Sequence, residues 1–126
     1  MQRAFTNILT EEVAVTAAFY QELLGLTAKF SSDWFANLED PDQSGFELGI
    51  LLKDHEIVPE TVRHRPSGII LTFVVDDCDA VYNRARRLGA DIIEAPRDMP
   101  YGQRRMLLSD PAGTTVDVSS LIRTDN

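Results

Sequence analysis

The 126 residues predict an α+β fold of two paired βαβββ modules, each a four-stranded sheet carrying one helix. Three observations carry this. A hairpin-like stretch occurs twice: Asn37–Leu48 aligns without gaps on Leu107–Val118, so that Asp40-Pro41 falls on Asp110-Pro111 and Glu47 on Asp117. The helix ending Leu24-Gly25 recurs as Leu88-Gly89. The order of elements around these marks is the same in both halves, and self-similarity of this kind reports duplication.

The first module opens with a short strand at about Ala4 to Leu9. Val13, Ala17, Tyr20, Leu23 and Leu24 then recur at helical spacing, and Gly25 stands where a left-handed cap is wanted. Strands follow at Thr27–Phe30, Trp34–Leu38 and Phe46–Leu52. In the second module the β-branched run Gly68–Val75 reads as a buried strand, and Asp76 and Asp77 are N-cap candidates for a helix over Ala80–Leu88. Asp91–Glu94, Arg105–Ser109 and Thr114–Leu121 complete the sheet, and the Pro/Gly-rich segment 96–102 is where the second copy takes its extra residues. The expected organisation is one domain over 1–126. Its modules lie at 1–53 and 67–123, joined by a polar linker at 54–66 that holds both histidines.

Apolar content of 44% and charged content of 25% are those of an ordinary globular protein. No stretch has the apolar length of a membrane span, and Glu11 and Glu12 near the start do not suit a signal peptide, so a cytoplasmic location is expected. The single Cys78 forms no intrachain disulfide. Flanked by Asp76, Asp77 and Asp79, it reads as an inert thiol. The net charge of −8 argues against nucleic acid as a partner. It favours a cationic ligand if the negative charge gathers near a cleft.

A four-stranded sheet with one helix leaves one face over, and two such faces can close around a cavity. Strand alternation says what lines it. Val116 and Val118 share a face with each other, as do Phe46, Leu48, Ile50 and Leu52, and these suit the helix side. Glu47, Asp117 and Ser119 then look into the cavity, with Arg105 and Leu107, and with their seventy-residue counterparts Phe35 and Asn37. Tyr101, between Pro100 and Gly102, suits a place at the mouth. Trp34 comes out opposite Phe35 and is a core or interface aromatic. His55 and His64, nine residues apart in the linker, read as surface residues.

The paired modules, the Phe19-Tyr20…Leu24-Gly25 helix end and the closing Gly102-Gln103-Arg104-Arg105…Asp110-Pro111-Ala112-Gly113…Asp117 run resemble the vicinal oxygen chelate superfamily. That superfamily includes glyoxalases, extradiol dioxygenases, fosfomycin-resistance enzymes and bleomycin-type resistance proteins. Its metal enzymes use a His or Gln on the first strand of each module and an acidic or His residue on the last strand of each. Carried over, these positions fall on Phe5 or Thr6, on Ile70 or Ile69, and on Glu47 and Asp117. Only the last two can ligate a metal, fewer than the roughly three protein ligands of a catalytic site.

The resemblance therefore implies a metal-independent binding protein for a small organic molecule, with no cofactor. By analogy with bleomycin-type resistance proteins, it would sequester a cationic, antibiotic-like ligand, and the chain would work as a homodimer. The expected ligand-binding residues are Phe35, Asn37, Glu47, Tyr101, Arg105, Leu107, Asp117 and Ser119, with no residue assigned to catalysis or to a metal. The alternative is an enzyme, with metal-dependent or acid–base lyase, isomerase or dioxygenase chemistry centred on Glu47 and Asp117.

Overall fold

The computed structural model describes residues 1–122, so the second module's expected end at Arg123 lies outside the described residues. The chain forms two compact units, Met1–Pro66 with Pro111–Gly113, and Ser67–Asp110 with the residues from Thr114 onward. The first contains β1 (Thr6–Thr10), α1 (Val13–Leu24), β2 (Thr27–Ser31), β3 (Phe35–Glu39) and β4 (Glu47–Leu52). Its sheet order is β1-β4-β3-β2, with β1 parallel to β4 and the other pairs antiparallel. The second repeats this with β5 (Ile70–Val74), α2 (Cys78–Arg87), β6 (Asp91–Asp98), β7 (Gln103–Ser109) and β8 (Thr115–Leu121), in the order β5-β8-β7-β6. A single 3-10 turn, Glu60–Val62, punctuates the linker.

Local chemistry sets the helix ends. Gly25 takes φ 72° and donates its N–H to Gln21 O at 2.9 Å, the left-handed stop that a side chain would strain. At the start of α2 the Asp77 carboxylate accepts from Ala80 N–H at 3.2 Å. Glu12, the N-cap of α1, makes no such bond; the Thr10 hydroxyl accepts from Glu12 N–H at 3.2 Å and pairs with the Thr16 hydroxyl at 2.8 Å.

Each helix covers one face of its own sheet. Under α1 lie Leu38 and Ile50, fully buried, with Ala36 and Leu48 beside them and Tyr20 and Leu23 above. Under α2 lie Met106, Leu108, Val116 and Val118, with Ala85 from the helix. Alternation then turns Phe35, Asn37, Glu47 and Gly49 to the helix-distal face of the first sheet, and Arg105, Leu107, Asp117 and Ser119 to that of the second.

Two local readings are corrected. β6 does not stop at Glu94 but runs to Asp98, through Pro96. Pro is tolerated there because β6 is the edge strand and register shifts between Ile92 and Glu94 and between Glu94 and Arg97 leave no ladder N–H required of it. The α2 helix starts at Cys78, at once after its Asp77 cap, and stops at Arg87 rather than Leu88.

The strand register corrects the alignment of the two hairpins. Glu39 pairs with Glu47, eight residues on, whereas Ser109 pairs with Thr115, six residues on. The correspondence holds through β3 and β7 to the Asp-Pro turns, where Phe35 answers Arg105 and Asn37 answers Leu107. The second turn is then two residues shorter. Glu47 therefore corresponds to Thr115, and Asp117 corresponds to Gly49. The two carboxylates share a face type but not a position.

Candidate functional site

On the first sheet the site centres on Glu47. Arg3 grips its carboxylate with two parallel hydrogen bonds, from Nε to Oε2 and from Nη2 to Oε1, and Lys29 Nζ lies 3.5 Å from Oε1. The Arg3 hydrogen bonds hold the Glu47 carboxyl far below its ordinary value, at about 2, against the opposing effect of burial; Lys29 and a hydrogen bond from Asn37 add to the lowering. A bidentate guanidinium–carboxylate pair is the strongest ordinary form of this contact. Arg3 also lies over the Phe5 ring, 4.8 Å from its centroid. Phe35 and Phe30 stand nearby, their ring centroids 6.3 Å apart.

One row across this face runs Phe30–Asn37–Gly49–Asn7, in register on β2, β3, β4 and β1. A Cβ added at Gly49 would fall on the Asn7 carboxamide oxygen and sit 3.2 Å from Phe35 Cε1. Asn37 is only 4% exposed, and its Oδ1 has no hydrogen-bond partner.

On the second sheet Asp117 accepts from the Thr72 hydroxyl at 3.1 Å and from the Ser119 hydroxyl at 2.6 Å, and has no ion-pair partner among the described residues. Leu107 and Thr72 flank it in register on β7 and β5. Arg105, next along β7, pairs in register with Ser119; its Nη2 lies 3.7 Å from Glu94, and its Nε is buried without a partner. Glu94 is held below the usual carboxylate range, first by its hydrogen bond from Arg97 and less by Arg105. Tyr101 sits exposed on the turn between β6 and β7.

The structure thus groups the expected residues as Phe35, Asn37 and Glu47 on one sheet and Arg105, Leu107, Asp117 and Ser119 on the other. It adds partners that sequence reasoning missed: Arg3, Lys29, Asn7 and Gly49 on the first face, Thr72 and Glu94 on the second. Thr72 was legible from alternation along β5. Arg3 was not, because nothing local marks a residue 44 positions away as the partner of Glu47. His55 is not a simple surface residue. It stacks on Trp34 with centroids 4.0 Å apart, and its Nδ1 accepts from Ile57 N–H at 3.2 Å, so both ring face and nitrogen serve the linker. Cys78 is buried, donates to Val118 O at 3.3 Å, and has its pKa raised by burial and by Asp79, in keeping with an inert thiol.

Two pockets lie elsewhere. One of about 280 Å³ is lined by residues that include Thr10, Glu12, Lys53 and Arg65. The other, of about 450 Å³, gathers Asp76, Asp77, Asp79 and Asp98 around Arg104. Arg104 is itself bonded to Asp79 at 3.0 Å and to Asp98 at 3.1 Å. Neither includes an expected site residue.

The metal-enzyme positions implied by the resemblance do not fit a metal here. The register puts Thr115, not a carboxylate, opposite Glu47 in the repeat, and Glu47 has both oxygens committed to Arg3. Among the described residues no group of three or more His, Cys, Asp or Glu is placed to hold an ion.

The chain matches the profile of the Glyoxalase/Bleomycin resistance protein/Dioxygenase superfamily over residues 3–118. It is 32% identical to the anthracycline biosynthesis protein DnrV of Streptomyces peucetius and 31% identical to DauV of Streptomyces sp. (strain C5). Each match covers 91% of this chain but 45% of the relative, so the chain spans about half the length of these proteins. A solved glyoxalase/bleomycin resistance protein/dioxygenase family structure from Burkholderia phytofirmans shares the fold with a TM-score of 0.80 at 22% identity, over 94% of this chain and 97% of that one. The described residues contain no helix long and apolar enough to cross a membrane. This chain belongs to the glyoxalase/bleomycin resistance protein/dioxygenase superfamily, the vicinal oxygen chelate group.

Proposed function

We propose that this protein binds a small aromatic organic molecule without a metal, against the helix-distal face of its first sheet, and gives it back chemically unchanged. The observation that carries this reading is the Arg3–Glu47 pair. The carboxylate best placed to ligate a metal or to act as a base is already neutralised, and at about 2 it is far too weak a base for proton abstraction near neutral pH. Phe5, Phe30 and Phe35 supply apolar ring surface beside it, with Phe30 56% exposed. The names of the Streptomyces relatives, which refer to anthracycline biosynthesis, support a polycyclic aromatic ligand.

Glu47 already faces two cations, whereas Asp117, on the second sheet, has hydroxyl partners only and is the carboxylate of that sheet free to meet a cationic group. Sequestration of this kind suits a resistance role. We also propose that the chain works as a homodimer, supported by exposed Ile69, Ile70, Val74 and Leu121 on the second unit; light scattering should return twice 14.1 kDa.

The test is calorimetric titration of an anthracycline into protein stripped with EDTA, with mass spectrometry of the recovered ligand. Saturable binding and an unaltered mass support the reading. Binding or conversion that appears only after Zn²⁺, Ni²⁺, Mn²⁺ or Fe²⁺ is restored would replace it with the enzymatic alternative.

A further inference from the structure

We propose that the Asn37–Gly49–Asn7 row is a subsite that reads a hydrogen-bond donor, a hydroxyl or N–H group, on the aromatic ligand. The inference rests on the proposed binding function and specifies the chemistry of its ligand.

Asn37 comes first. It is 4% exposed, in the interior strand β3, with Oδ1 lacking any partner. A buried acceptor left unpaired costs free energy, and native proteins keep few of them without a reason. The orientation of the amide agrees with its neighbour. Asn37 lowers the Glu47 carboxyl as a donor would, and an ionised carboxylate only accepts, which matches an amide with its N–H₂ end toward Glu47 and its oxygen unpaired. Arg3 keeps Glu47 ionised at all physiological pH, so the orientation does not change.

Gly49 comes second. It lies between Asn37 and Asn7 in the row and has no side chain, and the Asn7 carboxamide bends into the space its Cβ would fill. Neighbouring strands are about 4.8 Å apart, so the Asn7 oxygen comes to stand over the strand adjacent to Asn37. Among the described residues the Asn7 side chain makes no hydrogen bond. The Asn7 carboxamide thus lies over Gly49, next in the row to Asn37 and beside Phe35, and the buried Asn37 Oδ1 has no donor. An aromatic ring against the phenylalanines that carries an O–H or N–H into this row supplies the donor that Asn37 Oδ1 lacks.

The test compares 2-naphthol with 2-methoxynaphthalene, in which a methyl replaces the donor hydrogen, and with naphthalene, which lacks the donor without the added bulk. Binding is followed by ¹⁵N-correlated NMR, where side-chain carboxamides report directly. The expected result is a preference of about 10-fold or more for 2-naphthol, since a site built around an unpaired buried polar group rejects the analogue that leaves it unpaired. The Asn37 carboxamide signal should shift with 2-naphthol beyond the ring-current shift that all three probes cause. Asn37→Leu should abolish the preference without weakening 2-methoxynaphthalene, and Gly49→Ala, which displaces Asn7, should reduce it; retained melting transitions show that both variants fold. Equal affinity of the three probes, or a preference that survives in Asn37→Leu, overturns the subsite and leaves aromatic binding standing. Binding of none of the probes overturns both.

Discussion

Removing the Arg3 guanidinium should release Glu47 from its clamp, and the size of the effect follows from the contacts. The carboxyl titrates at about 2 with Arg3 in place, against an ordinary value of 4.5. Arg3 is the largest cause; with it gone, burial, which raises the value, is left against Lys29 and Asn37, which lower it, so Arg3→Ala should move the midpoint back toward 4.5. At pH 3 a carboxyl with a midpoint near 2 is roughly 90% ionised, while one near 4.5 is roughly 3% ionised. The assay is a carbon-detected NMR titration of the Glu47 side-chain carboxyl from pH 1.5 to 6, in both proteins. The folded value lies below the unfolded one, so the pair stabilises the fold above about pH 4.5, and that contribution fades as the pH falls through about 2. Arg3 is half exposed, so salt should weaken the shift and the neutral-pH melting temperature should move little. A wild-type midpoint near 4, or an Arg3→Ala midpoint unchanged from wild type, would refute the clamp and with it the argument against Glu47 as a base or metal ligand.

Three further outcomes are expected from chemical denaturation. Leu38→Ala, at a fully buried position beneath α1, should cost about 2–5 kcal/mol. Asp77→Ala should cost about 1 kcal/mol by removing the cap on Ala80 N–H, whereas Glu12→Ala should be close to neutral because the Glu12 side chain caps nothing. Asp110→Ala should cost about 1–3 kcal/mol, since the Thr114 N–H that its carboxylate accepts at 2.8 Å lies in a buried turn. A loss below 1 kcal/mol for Leu38→Ala would mean that the first sheet packs differently.

Much of the site was legible before any coordinates. Alternation along β4 and β8 placed Leu48, Ile50, Val116 and Val118 against the helices and turned Glu47 and Asp117 the other way, because the period of two is a property of the extended backbone itself. What misled was the equivalence of the two carboxylates. Asp40-Pro41 and Asp110-Pro111 do correspond, and residue identity beyond them suggested that the correspondence continues. Turn length is not visible in such an alignment, since a two-residue difference keeps every side chain on its own face and so leaves the pattern of apolar residues intact.

The sequence by itself determined the features that depend on neighbours along the chain: the two βαβββ modules, the helix stops at Gly25 and Gly89, the Asp77 cap, and which face each strand residue takes. These follow from backbone dihedral limits, local hydrogen bonds and hydrophobic period. Tertiary structure alone decided that Arg3 neutralises Glu47, that Thr115 rather than Asp117 answers Glu47 in the repeat, and that Gly49 brings Asn7 toward Asn37. Each of these depends on strands far apart in sequence coming into register, and register is set by ladder hydrogen bonds and turn lengths that no local window contains.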